Sequence, residues 1–208
     1  MTARTIHLNA FENCSPVNIS SGLWRHPEDQ SHRYKDLSYW TELAVMLEGA
    51  GFDSIFLADV LGMLDVYQGK PDAALRTATQ VPINDPLSIL SAMAAVTKNL
   101  GFAATVSLTY EQPYSFARKM TSLDHASQGR VGWNIVTSYL DSAARNLGRG
   151  EQLSHDERYD RGDEFMEVLY KLWEGSWEDD AVVIDKARGV YVDPAKVHPI
   201  AHQGRYFT

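Results

Sequence analysis

The sequence predicts an α/β fold in which parallel strands alternate with helices. Two observations predict it: short apolar runs such as FDSIFLAD and GFAATVSL recur along the chain, and a longer segment with helical spacing of apolar residues follows each run. Repeated strand-helix units of this kind form parallel sheets with right-handed crossovers. We identify four such units in the 208 residues.

The four units can be placed in order along the chain. We predict strands at residues 5–11, 52–59, 101–108 and 131–138, and helices at residues 37–52, 84–101, 113–129 and 154–175. Ser38 is the predicted N-cap of the first helix. The second helix has Asp85 as its predicted N-cap and Gly101 just past its end. The fourth begins with a capping box, in which Ser154 is the N-cap and Glu157 follows three residues later.

Two closures of a parallel sheet are common, the doubly wound open sheet and the (β/α)8 barrel. A dinucleotide-binding open sheet would carry a glycine fingerprint after an early strand, whereas NLGRGEQ has the wrong spacing and follows no strand. The pattern therefore favours a (β/α)8 TIM barrel. Because a complete barrel takes about 250 residues, we expect residues 1–208 to be a single domain that covers the first four units plus insertions and ends before the fifth strand.

Composition restricts the class of partner. The net charge is −8 and no window is basic, which argues against a nucleic acid or an anionic membrane surface as partner. We expect a small-molecule ligand instead. The single cysteine, Cys14, excludes an intrachain disulfide framework, and MTARTIHLNAF lacks the apolar segment of a secretory signal. We therefore expect a cytoplasmic protein without a membrane-spanning segment.

Polar residues mark the ends of three predicted strands. Asp59 ends the second strand, Thr105 and Ser107 lie near the end of the third, and Thr137 and Ser138 end the fourth. Active sites of such folds lie at the carboxyl ends of the strands, so we expect these side chains to share one mouth. Any one of them alone is equally well explained as an ordinary turn or cap residue.

The fourth strand, VGWNIVTS, is apolar except for Asn134 and its hydroxyl-rich end. A strand buried on both faces is nearly continuously apolar, so these polar atoms need partners. The helix that follows brings His155, Arg158 and Tyr159 into its first turn. Free backbone N–H groups and cationic side chains at a helix N-terminus can hold a phosphate, although a capped surface helix has the same pattern.

Other catalytic constellations lack support. Pro199 separates His198 from His202 and prevents a helical metal pair, and we predict no metal site. The chain contains neither a Gly-x-Ser-x-Gly elbow nor a Gly-x-x-x-x-Gly-Lys loop. Cys14 could act as a nucleophile, but a lone cysteine is more often passive. The residues by themselves do not identify a catalytic group.

Six motifs, taken together, resemble a known family. They occur in the order GLWRHPEDQSHRY, FDSIFLADVLGMLDVY, TYEQPYSFARKMTSLDH, GRVGWNIVTSYLDSAARN, HDERYD and YKLWEGSWEDDAV. This set resembles the flavin-dependent monooxygenases of the bacterial-luciferase-like superfamily. The branch is the one that contains nitrilotriacetate, dibenzothiophene-sulfone and long-chain alkane monooxygenases. The resemblance implies a TIM barrel of the luciferase-like type.

The resemblance also implies a two-component system. A separate flavin reductase would supply reduced FMN, and this chain would bind the FMN and use O2 to oxygenate a small organic substrate such as an alkane, an organosulfur compound or an aminopolycarboxylate. By their positions in the motifs, Asp59, Thr105, His155 and Tyr159 match residues that the family uses on FMN, and Ser138 falls where phosphate contacts are made. We expect a homo-oligomer, since the first and fourth strands would be open edges. The alternative is a non-catalytic remnant that binds flavin or serves only in an interaction.

Overall fold

A computed structural model of the protein describes residues 5–208. Residues 1–4, which are part of the segment considered for a secretory signal, lie outside the described residues. The chain divides into two compact units. The first contains the residues up to Ser107 together with Thr121–Gln152, and the second contains Leu108–Met120 and Leu153–Thr208.

Among the described residues, four parallel strands form the sheet of the first unit. They are β1 (Asn9–Asn13), β2 (Ser54–Ala58), β3 (Gly101–Ser107) and β4 (Val131–Val136), in the order β1-β2-β3-β4. Each strand therefore pairs with its neighbour in sequence, as in a (β/α)8 barrel, whereas a doubly wound sheet reverses its strand order. The predicted parallel sheet is confirmed, with β1 and β4 as its edge strands. However, β1 begins at Asn9 rather than at the predicted residue 5, because its pairing with β2 starts at the pair Asn9–Ser54.

Six α-helices accompany the strands within residues 5–208. They are α1 (Leu37–Gly49), α2 (Asp72–Thr77), α3 (Leu87–Ala95), α4 (Pro113–Ser127), α5 (Asp141–Asn146) and α6 (His155–Tyr170). Helices α1, α3, α4 and α6 confirm the four predicted ones. Helices α2 and α5 have six residues each, too few for hydrophobic periodicity to be recognised. Within residues 5–208, no helix combines the length and apolarity needed to cross a bilayer.

Two predicted helix-end residues are wrong, although α1 begins at Leu37 as predicted. Helix α1 begins at Leu37, so Ser38 is inside it. Asp36 occupies the N-cap position, but its side chain accepts no hydrogen bond from the first turn of the helix. Helix α3 ends at Ala95, and Gly101 is instead the first residue of β3. The two end residues were predicted from residue preferences alone, whereas tertiary contacts determine where these helices begin and end.

A carboxylate from another helix explains why α3 ends early. Glu48 Oε1 accepts hydrogen bonds from the backbone N–H groups of residues 98–100, at 2.6–3.0 Å. These N–H groups are therefore not available to continue the helix. At the other end, Asp85 accepts from Leu87 N at 2.9 Å and Ser88 Oγ at 2.8 Å. Asp85 thus performs the predicted capping, although Pro86 occupies the cap position itself.

The core of the first unit lies between one face of the sheet and the helices. Ile55 and Leu57 of β2 and Phe102 and Ala104 of β3 alternate along their strands with residues of the other face. They pack in one buried cluster together with Trp40, Ala44, Leu47, Leu90 and Met93. Since side chains alternate across a strand, the residues between them belong to the opposite face.

Arg130 fastens three segments at the amino end of the sheet. Its guanidinium donates to the carbonyls of Ala94, Thr97, Leu100 and Ser127 and to Thr97 Oγ1, at 2.7–3.2 Å. It also lies 5.3 Å from the centre of the Phe102 ring. These acceptors belong to the ends of α3 and α4 and to the start of β3. One planar cation therefore satisfies carbonyls that the helices leave free.

We predict that Arg130→Lys lowers the free energy of unfolding by about 2–4 kcal/mol, because an ammonium group cannot reproduce the fork of donors. Urea denaturation followed by circular dichroism measures the change. The matched control is Arg25→Lys, since Arg25 is exposed and its replacement should change stability by less than about 0.5 kcal/mol. Equal effects of the two substitutions would contradict the role of Arg130.

The second unit is organised by α6. Ser154 Oγ accepts the N–H of Glu157 at 3.3 Å, which confirms Ser154 as the N-cap. Further along the chain, β5 (Val182–Asp185) and β6 (Val190–Val192) pair as an antiparallel hairpin. The sequence patterns did not predict this hairpin.

Glu164 of α6 holds the C-terminal segment in place. Its carboxylate accepts hydrogen bonds from the backbone N–H groups of residues 205–207 at 2.8–3.1 Å and contacts Nε2 of His202 at 3.2 Å. A Cβ atom at Gly204 would overlap this carboxylate, so the close approach requires glycine. Burial by itself would raise the pKa of Glu164, but the bonds from His202 and residues 205–207 outweigh it and lower the pKa.

Glu164→Gln should release this segment. An amide offers one acceptor oxygen instead of two, so we expect the amides of residues 205–207 to exchange with deuterium at least about tenfold faster at neutral pH. Because the pKa of Glu164 is lowered, its contribution is present at neutral pH and is lost as the pH falls below the usual range of a carboxyl. Glu174→Gln, at an exposed position, is the control, and equally fast exchange in both variants would refute the role.

Candidate functional site

A row of polar side chains crosses the sheet near the carboxyl ends of its strands. Asn13 pairs with Ala58, and Thr105 pairs with Asn134. The β2–β3 register continues from the pair Leu57–Ala104, which places Ala58 beside Thr105. These positions alternate with the core residues and therefore lie on the other face of the sheet. We call Asn13, Thr105 and Asn134 the polar row.

Hydrogen bonds join the strand-end side chains in pairs. Asn134 Nδ2 donates to Thr105 Oγ1 at 3.0 Å, and Ser138 Oγ donates to Ser107 Oγ at 2.8 Å. Thr105 and Ser107 are buried. Ser138 has a φ of 57°, a left-handed conformation that is uncommon for serine. Asn134, which interrupts an apolar strand, thus finds its partner on the neighbouring strand.

Asn13 has one free acceptor in this row. It is 1% exposed, and its Nδ2 donates to the carbonyl of Ala58 at 3.1 Å. No donor among residues 5–208 reaches its Oδ1. A buried acceptor without a partner costs about 1–3 kcal/mol, and each such atom in a native fold needs an explanation, such as a bound water, an ion or a functional role. The polar row therefore retains capacity to accept a hydrogen bond.

An acidic group lies at the ends of β1 and β2. Burial raises the pKa of Asp59 to about 6, the N–H of Val60 opposes this, and the Asp85 carboxylate adds to it. Cys14 is fully buried. Burial raises the pKa of its thiol to about 12, and Asp59, Asp85 and Glu12 contribute through their charges. Cys14 is thus held as a thiol, as expected of a passive cysteine rather than a nucleophile.

His155 and Tyr159 lie in the first turns of α6, in the second unit. Their rings are 4.8 Å apart at an angle of 35°. His155 Nδ1 lies 2.8 Å from Asp156 Oδ1, and both His155 and Tyr159 are exposed. The two residues therefore form one contact pair on the helix surface beside the Ser154 cap.

Residues 19–208 match the family described as luciferase-like monooxygenase. The chain belongs to this family. The match confirms the predicted resemblance and the predicted fold class, of which the four parallel β/α units are the observed part.

Two relatives of known name align with nearly the whole of this chain. The long-chain alkane monooxygenase of Geobacillus thermodenitrificans is 58% identical over 204 residues, which is 98% of this chain and 46% of that protein. The dimethyl-sulfide monooxygenase of Hyphomicrobium sulfonivorans is 57% identical over 98% of this chain and 42% of its own length. This luciferase-like chain therefore spans less than half the length of these relatives.

Solved structures agree with the fold. A crystal structure of a long-chain alkane monooxygenase superposes with a TM-score of 0.97 over 99% of this chain and 48% of that one, at 58% identity. A riboflavin lyase solved with modified FMN and riboflavin superposes with a TM-score of 0.91, at 45% identity, over 98% of this chain and 45% of that one. The luciferase-like chain thus has the same backbone course as these enzymes.

The predicted site residues fall into three groups. Thr105 and Ser138 join the hydrogen-bonded strand ends, Asp59 belongs to the acidic group, and His155 and Tyr159 pair on α6. Sequence reasoning missed Asn13. The signal was present in the run HLNAFEN, where two asparagines four residues apart fall on one face of a strand.

Asp59→Asn should stabilise the fold at neutral pH. Because burial raises the pKa of Asp59 to about 6, the folded state is penalised once the group is ionised. The penalty is absent below about pH 4, the pKa of an unfolded aspartate, and is complete well above pH 6. We expect a gain of about 2 kcal/mol in the free energy of unfolding near pH 7.5 and none near pH 4.

Urea denaturation at the two pH values measures this difference. Asp163→Asn, at an exposed position, should change stability by less than about 0.5 kcal/mol at either pH. A gain for Asp59→Asn that does not depend on pH would show that desolvation of the carboxylate is not its cause.

Proposed function

We propose that the protein is the oxygenating component of an FMN-dependent monooxygenase. It would use O2 to oxygenate a small organic substrate, such as an alkane, an organosulfur compound or an aminopolycarboxylate. Residues 1–208 would contribute the first four β/α units of its barrel as one domain. The observation that carries the proposal is the polar row with its free acceptor, at the carboxyl ends of the strands in a chain of the luciferase-like monooxygenase family. Bound flavin would supply the electron transfer that side chains cannot perform.

The residues present fit the ring end of such a cofactor. A flavin ring carries carbonyl oxygens and N–H groups along one edge, and the polar row offers both kinds of partner. Thr105 has a hydroxyl hydrogen to donate while its oxygen accepts from Asn134, and Asn13 Oδ1 is free to accept. We propose that Thr105 and Asp59 orient the ring.

The phosphate end would be held by hydroxyl groups and a helix N-terminus. Helix α6 has 16 residues, and the N–H groups of its first turn carry partial positive charge. We propose that Ser138, His155 and Tyr159 contact the FMN phosphate. Exposed side chains such as His155 and Tyr159 can reorient toward an anion without breaking core contacts.

The remaining partners follow from the same proposal. A separate flavin reductase would supply reduced FMN, and the protein would act in the cytoplasm as a homo-oligomer. The single cysteine supports a reducing compartment.

Flavin titration tests the proposal. We expect the 208-residue chain to quench FMN fluorescence saturably and to bind FMN more tightly than riboflavin, which lacks the phosphate. A non-catalytic interaction remnant would bind neither. Substrate oxygenation is then measured with FMN, a flavin reductase and candidate substrates, and the absence of any flavin-dependent product would leave flavin binding as the function of the chain.

Tyr159→Phe should weaken FMN more than riboflavin. A hydrogen bond to a charged group contributes about 1.5–3 kcal/mol, so we expect at least a tenfold rise in the Kd of FMN and little change for riboflavin. Tyr170→Phe is the matched control, because Tyr159 and Tyr170 lie on the same helix and are both 53% exposed. Equal losses of FMN and riboflavin would contradict the phosphate assignment.

A further inference from the structure

The loop after β2 rests directly on helix α5. Ser142 Oγ donates to the carbonyl of Met63 at 2.9 Å, and Asn146 Nδ2 donates to the carbonyl of Leu61 at 3.1 Å. Arg145 and Asp65 form an ion pair with 3.6 Å between Nη2 and Oδ2. The loop is thus fastened at three successive points along the helix.

Gly62 makes this contact close. A Cβ atom at position 62 would lie 2.6 Å from the backbone nitrogen of Ala143 and would overlap Ser142 Oγ. Both obstacles leave little room, since one is backbone and the other is a short side chain already bonded to Met63. Any larger residue would therefore lift the loop off the helix.

The contact joins the segments that follow the two neighbours of β3. The loop follows β2 and α5 follows β4, while β3 lies between these two strands in the sheet. A connection from one to the other therefore joins the two neighbours of β3 on the side of its carboxyl end. Thr105 and Ser107 lie at that end, with exposed fractions of only 5% and 4%. We call residues 61–65 and α5 together the strand-end cover.

We propose that the strand-end cover is a gate, which opens to admit the cofactor to the polar row and closes behind it. The identity of the ligand rests on the function proposed above, whereas the gate rests on the contacts of the cover. Thr105 and Ser107 are buried, so a ligand can reach them only if a neighbouring segment moves. The strand-end cover is the segment that moves, because two hydrogen bonds and a largely exposed ion pair hold it more weakly than the hydrogen bonds of a strand ladder hold the sheet.

Gly62 and Ser142 have separate roles in this gate. Glycine at position 62 allows the loop to pack closely against α5. Ser142 keeps the loop in this position through its hydrogen bond to the carbonyl of Met63. Ser142 is itself buried, so its hydroxyl has no competing bond to bulk water. Loosening either residue should raise the rate of ligand release without altering the side chains of the polar row.

Stopped-flow measurement of FMN release tests the gate. We expect Ser142→Ala and Asn146→Ala each to accelerate release about fivefold, the effect of one hydrogen bond, and Gly62→Ala to accelerate it further. The control is Gly49→Ala, because a Cβ atom at Gly49 meets open space and its backbone needs no left-handed conformation. Unchanged release in Ser142→Ala and Asn146→Ala would overturn the gate.

Hydrogen exchange without ligand provides an independent readout. If the cover opens as a unit, the amides of residues 61–65 and 141–146 exchange at matching rates and accelerate together in Ser142→Ala. Exchange of the two segments at unrelated rates would overturn the gate. If the unaltered chain binds no FMN, the proposed function fails, while this exchange measurement still decides whether the cover moves. Circular dichroism of each variant separates faster opening from general unfolding.

Discussion

The parallel register of four strands is the constraint on which the rest of the structure depends. Because every pair runs in the same direction, all carboxyl ends meet at one edge, and because side chains alternate, every second residue of each strand faces the same side. Asn13, Thr105 and Asn134 come from three strands separated by long stretches of chain. A shift of one residue in any pairing would turn one of them toward the apolar core.

Burial decides what these polar groups can do. Asn134 forms a hydrogen bond with Thr105, and Ser138 forms one with Ser107. These strand-end side chains therefore have hydrogen-bond partners within the protein. Asn13 Oδ1 and the Asp59 carboxyl are different. The first has no protein donor, and the second has a raised pKa because it is buried beside Asp85. An unpaired buried acceptor and a carboxyl group with a shifted pKa are both features that are common in binding sites.

Single polar side chains fix the loops around this sheet. Arg130 at the amino end and Glu48 on α1 satisfy backbone groups that the helices and turns leave free. At the carboxyl end two hydrogen bonds and one ion pair join the loop after β2 to α5, and Gly62 allows close contact because it has no side chain. In characterised barrels of this class, the amino-terminal face contributes to stability and the active site lies at the carboxyl-terminal face.

The sequence by itself predicted the chain's class and the order of its main elements. Apolar runs and helical periodicity placed β2, β3, β4 and the helices α1, α3, α4 and α6, since these patterns reflect burial that is local to each element. Ser154 was found as an N-cap for the same reason, because its partner Glu157 is three residues away. The strand-end positions of Thr105 and Ser138 also followed from local pattern.

What the tertiary structure decided depends on residues far apart in sequence. Helix α3 ends early because Glu48 accepts hydrogen bonds from the residues that follow it. The pKa of Asp59 is raised by burial and by the charge of Asp85. Gly62 lies in close contact with α5. The partner of Asn134 could not be named from its own strand, since a pattern shows that a polar atom needs a partner but not which one. Local sequence determined the elements, and only the register between strands determined which side chains meet, because that register is set by packing over the whole sheet.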